Sequence, residues 1–159
     1  MTDTPDTSDR EIVTTRVIDA PRELVFKVWT EPEHLAQWWG PDGFTTDIQE
    51  MDVRPGGAWK YFMNGPDGVR FRHENVFLEV VPPERIVYDH ITGPTFVATA
   101  TFEELEDGRT RLTLRMVLDS AEKRDRVERE FGAIEGARQM MARLAEYLTK
   151  LSLTKGGGR

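Results

Sequence analysis

FVATATFEELEDGRTRLTLRMVL, residues 96–118, decides the fold, because apolar and polar side chains alternate along it on both sides of a single turn. A three-residue loop at 106–108, with Gly108 in the left-handed conformation, pairs Leu105 with Arg109. The apolar pairs that follow are Phe102 with Leu112, Ala100 with Leu114, Ala98 with Met116, and Phe96 with Leu118. A slip by one residue would bury the charged face instead. The stretch therefore predicts an antiparallel hairpin with one buried face.

Turn signals rich in Gly, Pro, Asn and Asp continue back through the middle of the chain. They lie at residues 55–57, 64–68, 82–83 and 93–94, and they separate segments of strand length. Such spacing is typical of an antiparallel meander. Carried back through the Gly93-Pro94 turn, the same inner face takes Ile86, Tyr88 and His90.

The preceding hairpin is predicted from a five-residue loop at 64–68. Its pairs are Met63 with Val69, Tyr61 with Phe71, and Trp59 with His73. Further along the second strand, the apolar positions change phase to Val76, Leu78 and Val80. A β-bulge near Glu74-Asn75 would re-aim the side chains in this way.

Helical signals flank the strands. Glu11–Ile18 reads as a first strand, after which Pro21 and Pro32 suit the first positions of two short helices and Gly40-Pro41 is a stop signal. From Ser120 to about Leu153, apolar residues recur at helical spacing. This stripe consists of Val127, Phe131, Ile134, Met141, Leu144, Leu148 and Leu151. The sequence thus predicts one long C-terminal helix with an apolar face.

A sheet with one apolar face and an amphipathic helix bury their apolar surfaces against each other. We therefore expect an α+β fold in which a curved, seven-stranded antiparallel sheet and two short helices grip the C-terminal helix. Residues 11–153 form this single domain, with a disordered tail at 1–10 and a flexible tail at 154–159.

Composition narrows the possible partners. The chain has 28 acidic and 21 basic residues, for a net charge of −7, which argues against nucleic acid binding. It has no cysteine, so disulfides and thiolate metal sites are excluded. Neither a signal peptide nor a membrane-spanning apolar run is present, and a cytoplasmic location without membrane insertion is expected.

Five short motifs, in this order, resemble the SRPBCC (START-like, helix-grip) superfamily. They are Asp19-Ala20-Pro21 with Leu24-Val25-Phe26, Trp38-Trp39-Gly40-Pro41, Arg54-Pro55-Gly56-Gly57, Pro66-Asp67-Gly68, and Glu79-Val80-Val81-Pro82-Pro83-Glu84-Arg85. Within that superfamily they are most similar to homologues of the activator of the Hsp90 ATPase. The resemblance covers roughly residues 11–152 and implies a hydrophobic cavity between the sheet and the last helix. Relatives include lipid carriers, polyketide cyclases, self-resistance proteins and chaperone activators, so the fold leaves the function open.

Aromatic and methionine side chains with a few polar groups describe a ligand pocket, although the same residues also suit a packed core. The candidate ligand-binding residues are Trp38, Trp39, Trp59, Tyr61, Met63, Phe71, His73, Tyr88, His90, Phe96, Met116, Phe131 and Met141. Trp38 and Trp39 either close the pocket or form an exposed patch, so that both a monomer and a homodimer are open. The histidines are too scattered for a metal site, and no metal or other cofactor is expected.

Three functions are compatible with these residues and with what the resemblance implies. The first is a binding or carrier protein for a hydrophobic small molecule such as a lipid, polyketide or aromatic compound. The second is an aromatase-, cyclase- or hydrolase-like enzyme that uses His73, His90 and Tyr88 for proton transfer. The third is a chaperone ATPase activator, although eukaryotic activators carry an additional N-terminal domain and only a short tail is expected here. Because no catalytic constellation appears, the binding function is preferred.

Overall fold

Seven antiparallel strands form one sheet in the computed structural model, which describes residues 6–157 and the side chains of residues 6–151. The strands are β1 (Glu11–Ile18), β2 (Thr45–Met51), β3 (Ala58–Asn64), β4 (Arg70–Val81), β5 (Arg85–His90), β6 (Phe96–Glu104) and β7 (Thr110–Leu118). Their order is β1-β7-β6-β5-β4-β3-β2. Strands β2 to β7 therefore form the predicted meander, and β1 returns to pair with β7.

Four helices accompany the sheet: α1 (Arg22–Thr30), α2 (Pro32–Leu35), α3 (Ala121–Phe131) and α4 (Ala133–Gly157). The predicted single helix from Ser120 to Leu153 is wrong in one respect, because the chain breaks it at Gly132. Gly132 adopts the left-handed conformation at φ 60°, and its amide donates to the Glu128 carbonyl. This is the usual way in which glycine ends a helix. Helix α4 then continues to Gly157, beyond the predicted end.

The break at Gly132 also corrects the predicted apolar stripe. Phe131 is 62% exposed rather than part of the buried face. The remaining stripe residues of α4 that are fully buried are Met141, Leu144 and Leu148. At the other end of the chain, Ser8–Arg10 forms a short 3₁₀ turn where a tail was expected. Arg10 donates to the Leu118 carbonyl at 2.8 Å, and residues 1–5 of the predicted tail lie outside the described residues.

The β6–β7 hairpin confirms every predicted pair, from Phe96 with Leu118 to Phe102 with Leu112. Its turn has Gly108 at φ 84°. The Leu105 amide donates to the Arg109 carbonyl at 2.8 Å, as the three-residue loop requires.

The β3–β4 hairpin differs from the predicted register by two residues. Met63 pairs with Phe71, Tyr61 with His73, and Trp59 with Asn75. The loop contains three residues, 66–68, rather than five, because Gly65 donates to the Val69 carbonyl at 2.8 Å and Gly68 lies at φ 86°. The turn thus repeats the β6–β7 turn, with Asp and Gly in the same two positions.

The bulge in β4 lies further along the strand than predicted. The β4–β5 register shifts between Phe77 and Glu79, at Leu78, and not at Glu74-Asn75. Consequently Asn75 and Phe77 are buried, whereas Leu78 is 48% exposed. The predicted inward positions of Val76 and Leu78 are wrong, and Val80, beyond the bulge, does pack against the core.

The main core lies between the inner face of the sheet, helix α1 and helix α4. Its buried residues include Val25, Trp29, Leu35, Trp38, Trp59, Phe77, Ile86, Ala98, Phe102, Leu112, Met141, Leu144 and Leu148. A smaller cluster of Ile12, Leu118 and Val127 lies under α3. This arrangement is the predicted helix-grip fold.

A substitution of Gly57, in the turn between β2 and β3, should strongly destabilise the protein. A Cβ atom on Gly57 would lie 1.9 Å from the Asp52 carbonyl oxygen. The same turn is bonded to β4, since the Phe77 amide donates to the Gly57 carbonyl at 3.0 Å. We expect Gly57→Ala to lower the free energy of unfolding by about 3 kcal/mol, because the backbone must move.

Urea denaturation measures the effect, with Gly136→Ala as the matched control. Gly136 lies in α4, where an added Cβ meets only Pro41 at 3.8 Å, an ordinary contact. Alanine there should stabilise the protein by about 0.5–1 kcal/mol. Equal changes in the two variants would contradict the proposed backbone clash.

Candidate functional site

Trp59 lies at the centre of the interior between the sheet and α4. Five aromatic rings surround it, with centroid distances of 5.2 Å to Trp29, 5.0 Å to Trp39, 5.3 Å to Tyr61, 5.6 Å to Phe77 and 5.0 Å to Tyr88. The Phe77 ring is parallel to Trp59, and most of the others meet it edge to face. Such contacts favour dense packing of aromatic rings.

This aromatic part of the interior is filled. Trp59 and Phe77 are 0% exposed, and Tyr88 is 3% exposed. Because neither Trp59 nor Phe77 has any accessible surface, no void large enough for water lies against these two rings. The predicted cavity is therefore not open around Trp59 in this structure, and a ligand there must displace side chains.

Trp38 and Trp39 are buried, at 1% and 5% exposure, and the alternative of an exposed dimerisation patch at these residues is wrong. The Trp38 indole donates to the Val28 carbonyl at 3.2 Å, and Thr46 donates to the Trp39 carbonyl at 2.8 Å. Both tryptophans thus close the interior at the α2 end rather than facing solvent.

The loop after Trp39 is attached to α4 by two side chains, Arg143 and Gln139. Nη1 of Arg143 donates to the carbonyl oxygens of Gly40 and Pro41, at 2.7 and 2.8 Å. The backbone amide of Asp42 donates to the Gln139 side chain at 3.1 Å. Helix α4 and the tryptophan segment therefore form one wall of the interior.

Two histidines lie side by side on the inner face at the other end. His73 on β4 and His90 on β5 are joined by a hydrogen bond of 2.9 Å between Nδ1 of His73 and Nε2 of His90. Nδ1 of His90 lies 2.8 Å from the Pro94 carbonyl oxygen, which can only accept. His90 must therefore carry its proton on Nδ1, and His73 donates to it. This leaves Nε2 of His73 as an acceptor.

Aromatic rings hold both imidazoles in place. Tyr61 stacks on His73 at 4.9 Å and 13°, and Phe96 stacks on His90 at 4.6 Å and 15°. Burial, together with the neighbouring His90, lowers the pKa of His73 from 6.5 to about 4. Burial also lowers the pKa of His90, against the raising effect of its bond to Pro94. Both rings are accordingly neutral at pH 7 and can both donate and accept hydrogen bonds.

Further polar groups lie deeper, among the rings. Burial raises the pKa of the Tyr61 hydroxyl to about 12 and that of Tyr88 well above its ordinary value. Asn75 is 1% exposed, and among the described residues neither atom of its amide has a hydrogen-bond partner. The sequence analysis missed Asn75, because the misplaced bulge assigned the inward positions of β4 to its neighbours.

The predicted ligand residues divide into three groups. Those buried in the interior are Trp38, Trp39, Trp59, Tyr61, Tyr88, His90 and Met141. Those partly buried at its border are Met63, His73, Phe96 and Met116. Phe71, at 40% exposure, lies on the rim opposite Met63, and Phe131 lines a separate surface groove of about 330 Å³ beside α3. The structure thus brings eleven of the thirteen together around one interior.

The interior can therefore offer a ligand hydrogen bonds from His73 and Asn75 and contact with aromatic rings. Within the described range, no cluster of three His, Asp or Glu side chains has the geometry to hold a metal ion. The helices found there also include none with the length and apolar character needed to cross a membrane.

Sequence comparison identifies a family. A profile of the family described as "Activator of Hsp90 ATPase homolog 1-like protein" matches residues 19–149. A search of curated proteins produced no significant match.

Solved bacterial structures share the fold. A protein from Nitrosomonas europaea is similar over 92% of this chain and 98% of its own, with 26% identity and a TM-score of 0.83. One from Mycobacterium smegmatis is 28% identical over 94% and 98% of the two chains, with a TM-score of 0.81. One from Arthrobacter aurescens is 25% identical over 92% and 90%, with a TM-score of 0.83. With its helix-grip fold and the match over residues 19–149, the chain belongs to the family of activator of Hsp90 ATPase homolog 1-like proteins.

Proposed function

We propose that this domain binds and carries a small, largely apolar molecule, aromatic or lipid-like, between the sheet and helix α4. The START-like fold supports the assignment of this domain to a family of ligand-binding or carrier proteins. The observation that carries the proposal is the pair of neutral histidines at the partly exposed end of an interior lined by aromatic and methionine side chains.

Two histidines contribute less to the stability of a core than apolar side chains of similar size would. Burial removes hydration from both imidazoles. The His73–His90 and His90–Pro94 bonds replace it at three ring nitrogens, whereas Nε2 of His73 has no such bond within the described residues. Placed against a ligand, however, Nε2 of His73 offers one directional acceptor in otherwise apolar surroundings. A few such groups fix the orientation of a ligand in an apolar pocket.

The pKa of His73 also favours binding over proton-transfer catalysis. A general base works best when its pKa is close to the working pH. With a pKa of about 4, His73 is a weak base at pH 7. It nevertheless remains an efficient hydrogen-bond acceptor for a ligand hydroxyl or N–H group.

Methionines give the filled interior a way to open. Met140 and Met141 of α4 are buried, and Met63 and Met116 pack against the same core from β3 and β7. Methionine is unbranched and polarizable, so that it adapts to a guest at low cost. Met63 and Phe71 lie opposite each other at the exposed rim, and this is where we expect a ligand to enter.

Methionine methyl NMR tests the proposal. The protein is labelled with methyl-¹³C methionine and titrated with naphthalene, dodecanoate and anthraquinone as probes. We expect at least one probe to shift the Met63, Met116 and Met141 signals with micromolar affinity, because its rings or chain replace contacts in the interior. Mass spectrometry should recover that probe unchanged.

Phe131→Ala is the matched control, since Phe131 is apolar and exposed outside this interior. It should leave the affinity unchanged. If none of the three probes shifts these methionines, the carrier proposal is wrong. Chemical conversion of a bound probe would support an enzyme in its place.

The lowered pKa of His73 predicts a pH dependence of stability that needs no ligand. The unfolded chain binds a proton near pH 6.5, and the folded protein only near pH 4, so that stability falls as the pH drops through this window. The difference between 6.5 and about 4 corresponds to a loss of about 3 kcal/mol.

The measurement is urea denaturation of the wild type and of His73→Gln at pH 7 and pH 4. Glutamine keeps a hydrogen-bonding side chain but does not titrate, so that the variant should lose less stability on acidification. Equal losses in the two proteins would show that His73 is not buried in its neutral form.

A further inference from the structure

Asn75 lies in the middle of the inner sheet face, between Trp59 on β3 and His90 on β5, which are its partners across the two strand pairs. Its side chain is 1% exposed, and within the described residues Nδ2 and Oδ1 both lack a hydrogen-bond partner. Tyr61 approaches the amide closely enough to affect the pKa of the tyrosine hydroxyl, but without the geometry of a hydrogen bond to either amide atom.

A second orphaned group lies directly across the strands. In the described part of the chain, Nε1 of Trp59 also has no acceptor. Nearly all buried polar atoms in native proteins have partners, and each one without a partner costs about 1–3 kcal/mol. Two such residues paired across β3 and β4 therefore represent a large, concentrated cost at one place in the interior.

The inner face of β4 leads from solvent to this place. Phe71 is 40% exposed, His73 is partly buried, Asn75 is 1% exposed and Phe77 is 0% exposed. These residues alternate along one strand and so point to the same side of the sheet. A molecule that enters at the rim and passes His73 reaches Asn75 as the first buried polar side chain on β4.

The orphaned atoms define the group that would satisfy them. The Asn75 amide and the Trp59 indole supply N–H donors, and Oδ1 of Asn75 supplies one acceptor. Their complement is a carbonyl oxygen with an N–H or O–H group beside it. Trp59 and Phe77 stack on each other with centroids 5.6 Å apart, so a ligand would pack beside this aromatic cluster rather than between the two rings, and a planar ring system suits such contacts.

We propose that Asn75 and the Trp59 indole N–H recognise the polar edge of the ligand, and that the ligand is a neutral, planar ring compound with a carbonyl next to an N–H or O–H donor. This assignment rests on the carrier function proposed above and specifies its ligand class. Cyclic amides and hydroxyketones have this edge.

A charged ligand fits this position poorly. The titratable groups around Asn75 are Tyr61, Tyr88, His73 and His90, and all four are neutral at pH 7. A carboxylate there would lose its hydration without gaining an opposite charge, which is costly in an apolar interior.

The first test is the stability of the ligand-free protein. Leucine has nearly the shape of asparagine and no polar atoms, so that Asn75→Leu removes the orphaned amide without leaving a cavity. We expect its melting temperature to rise by several degrees. Val76→Leu, next on the same strand but facing outward, is the matched control and should change little. A lower melting temperature in both Asn75→Leu and Asn75→Val would show that the amide is satisfied, and would overturn the assignment.

The second test compares three probes of one shape by tryptophan fluorescence: naphthalene, 2-naphthamide and 2-naphthoate. The wild type should bind 2-naphthamide at least about tenfold more tightly than naphthalene, because only the amide pairs with Asn75. It should bind the charged 2-naphthoate no better than naphthalene. Asn75→Leu should lose the preference for the amide and keep its affinity for naphthalene.

The outcomes separate the two proposals. If naphthalene binds and 2-naphthamide binds no better, or if the preference survives in Asn75→Leu, the assignment of Asn75 is wrong and the carrier function stands. A preference for 2-naphthoate also overturns the neutral ligand class. If none of these three probes binds but a probe of the methionine NMR titration does, the assignment of Asn75 is wrong and the carrier function stands. If no probe binds in either experiment, both proposals fail.

Discussion

The burial of Trp59 among five aromatic rings is the contact on which the rest of the structure depends. These rings come from α1, from the segment after α2, and from strands β3, β4 and β5. Because elements distant in the chain meet at one side chain, Trp59 holds α1, the segment after α2 and strands β3 to β5 together. The Arg143 bonds to the Gly40 and Pro41 carbonyls then hold α4 against the same segment. An aromatic cluster thus holds the sheet against α1 and the segment after α2, and Arg143 attaches α4 to that segment.

Around this contact the interior has two halves that differ in their chemistry. Near Trp38 and Trp39, indole and hydroxyl groups are paired with backbone carbonyls, and nothing gains from rearrangement. Toward His73 the lining changes to methionines and neutral imidazoles, and further in to the unpaired amide of Asn75. A buried polar group without a hydrogen-bond partner lowers the stability of the ligand-free protein, so a ligand that supplies the missing hydrogen bond binds more favourably. The neutral imidazoles and the unpaired amide of Asn75 therefore lie toward the side where the sheet opens to solvent.

The sequence predicts the fold well where local chemistry and alternation agree. At β6–β7 the Asp107-Gly108 turn and the apolar alternation give one register, and the structure confirms it. The Asp67-Gly68 turn has the same two residue types. The predicted loop nevertheless began at Asn64, two residues too early, and this shifted the predicted register of β3 and β4 by two residues. Leu78 and Phe131 look buried by hydrophobicity alone. Their exposure arises from a bulge and from a left-handed glycine, and both depend on tertiary context.

The candidate site was less predictable than the fold for a related physical reason. Aromatic residues on an inner face can be listed from alternation, and eleven of thirteen candidates do surround the interior. Asn75 was not among the predicted site residues, because an asparagine in a strand normally indicates an outward position. Only the location of the bulge shows that it points inward. In a superfamily with one grip and many functions, apolar linings resemble one another and discriminate weakly. For the proposed carrier function, selectivity would then come from the few inward polar groups, which include His73, Asn75 and His90 on β4 and β5 and the Trp59 indole on β3.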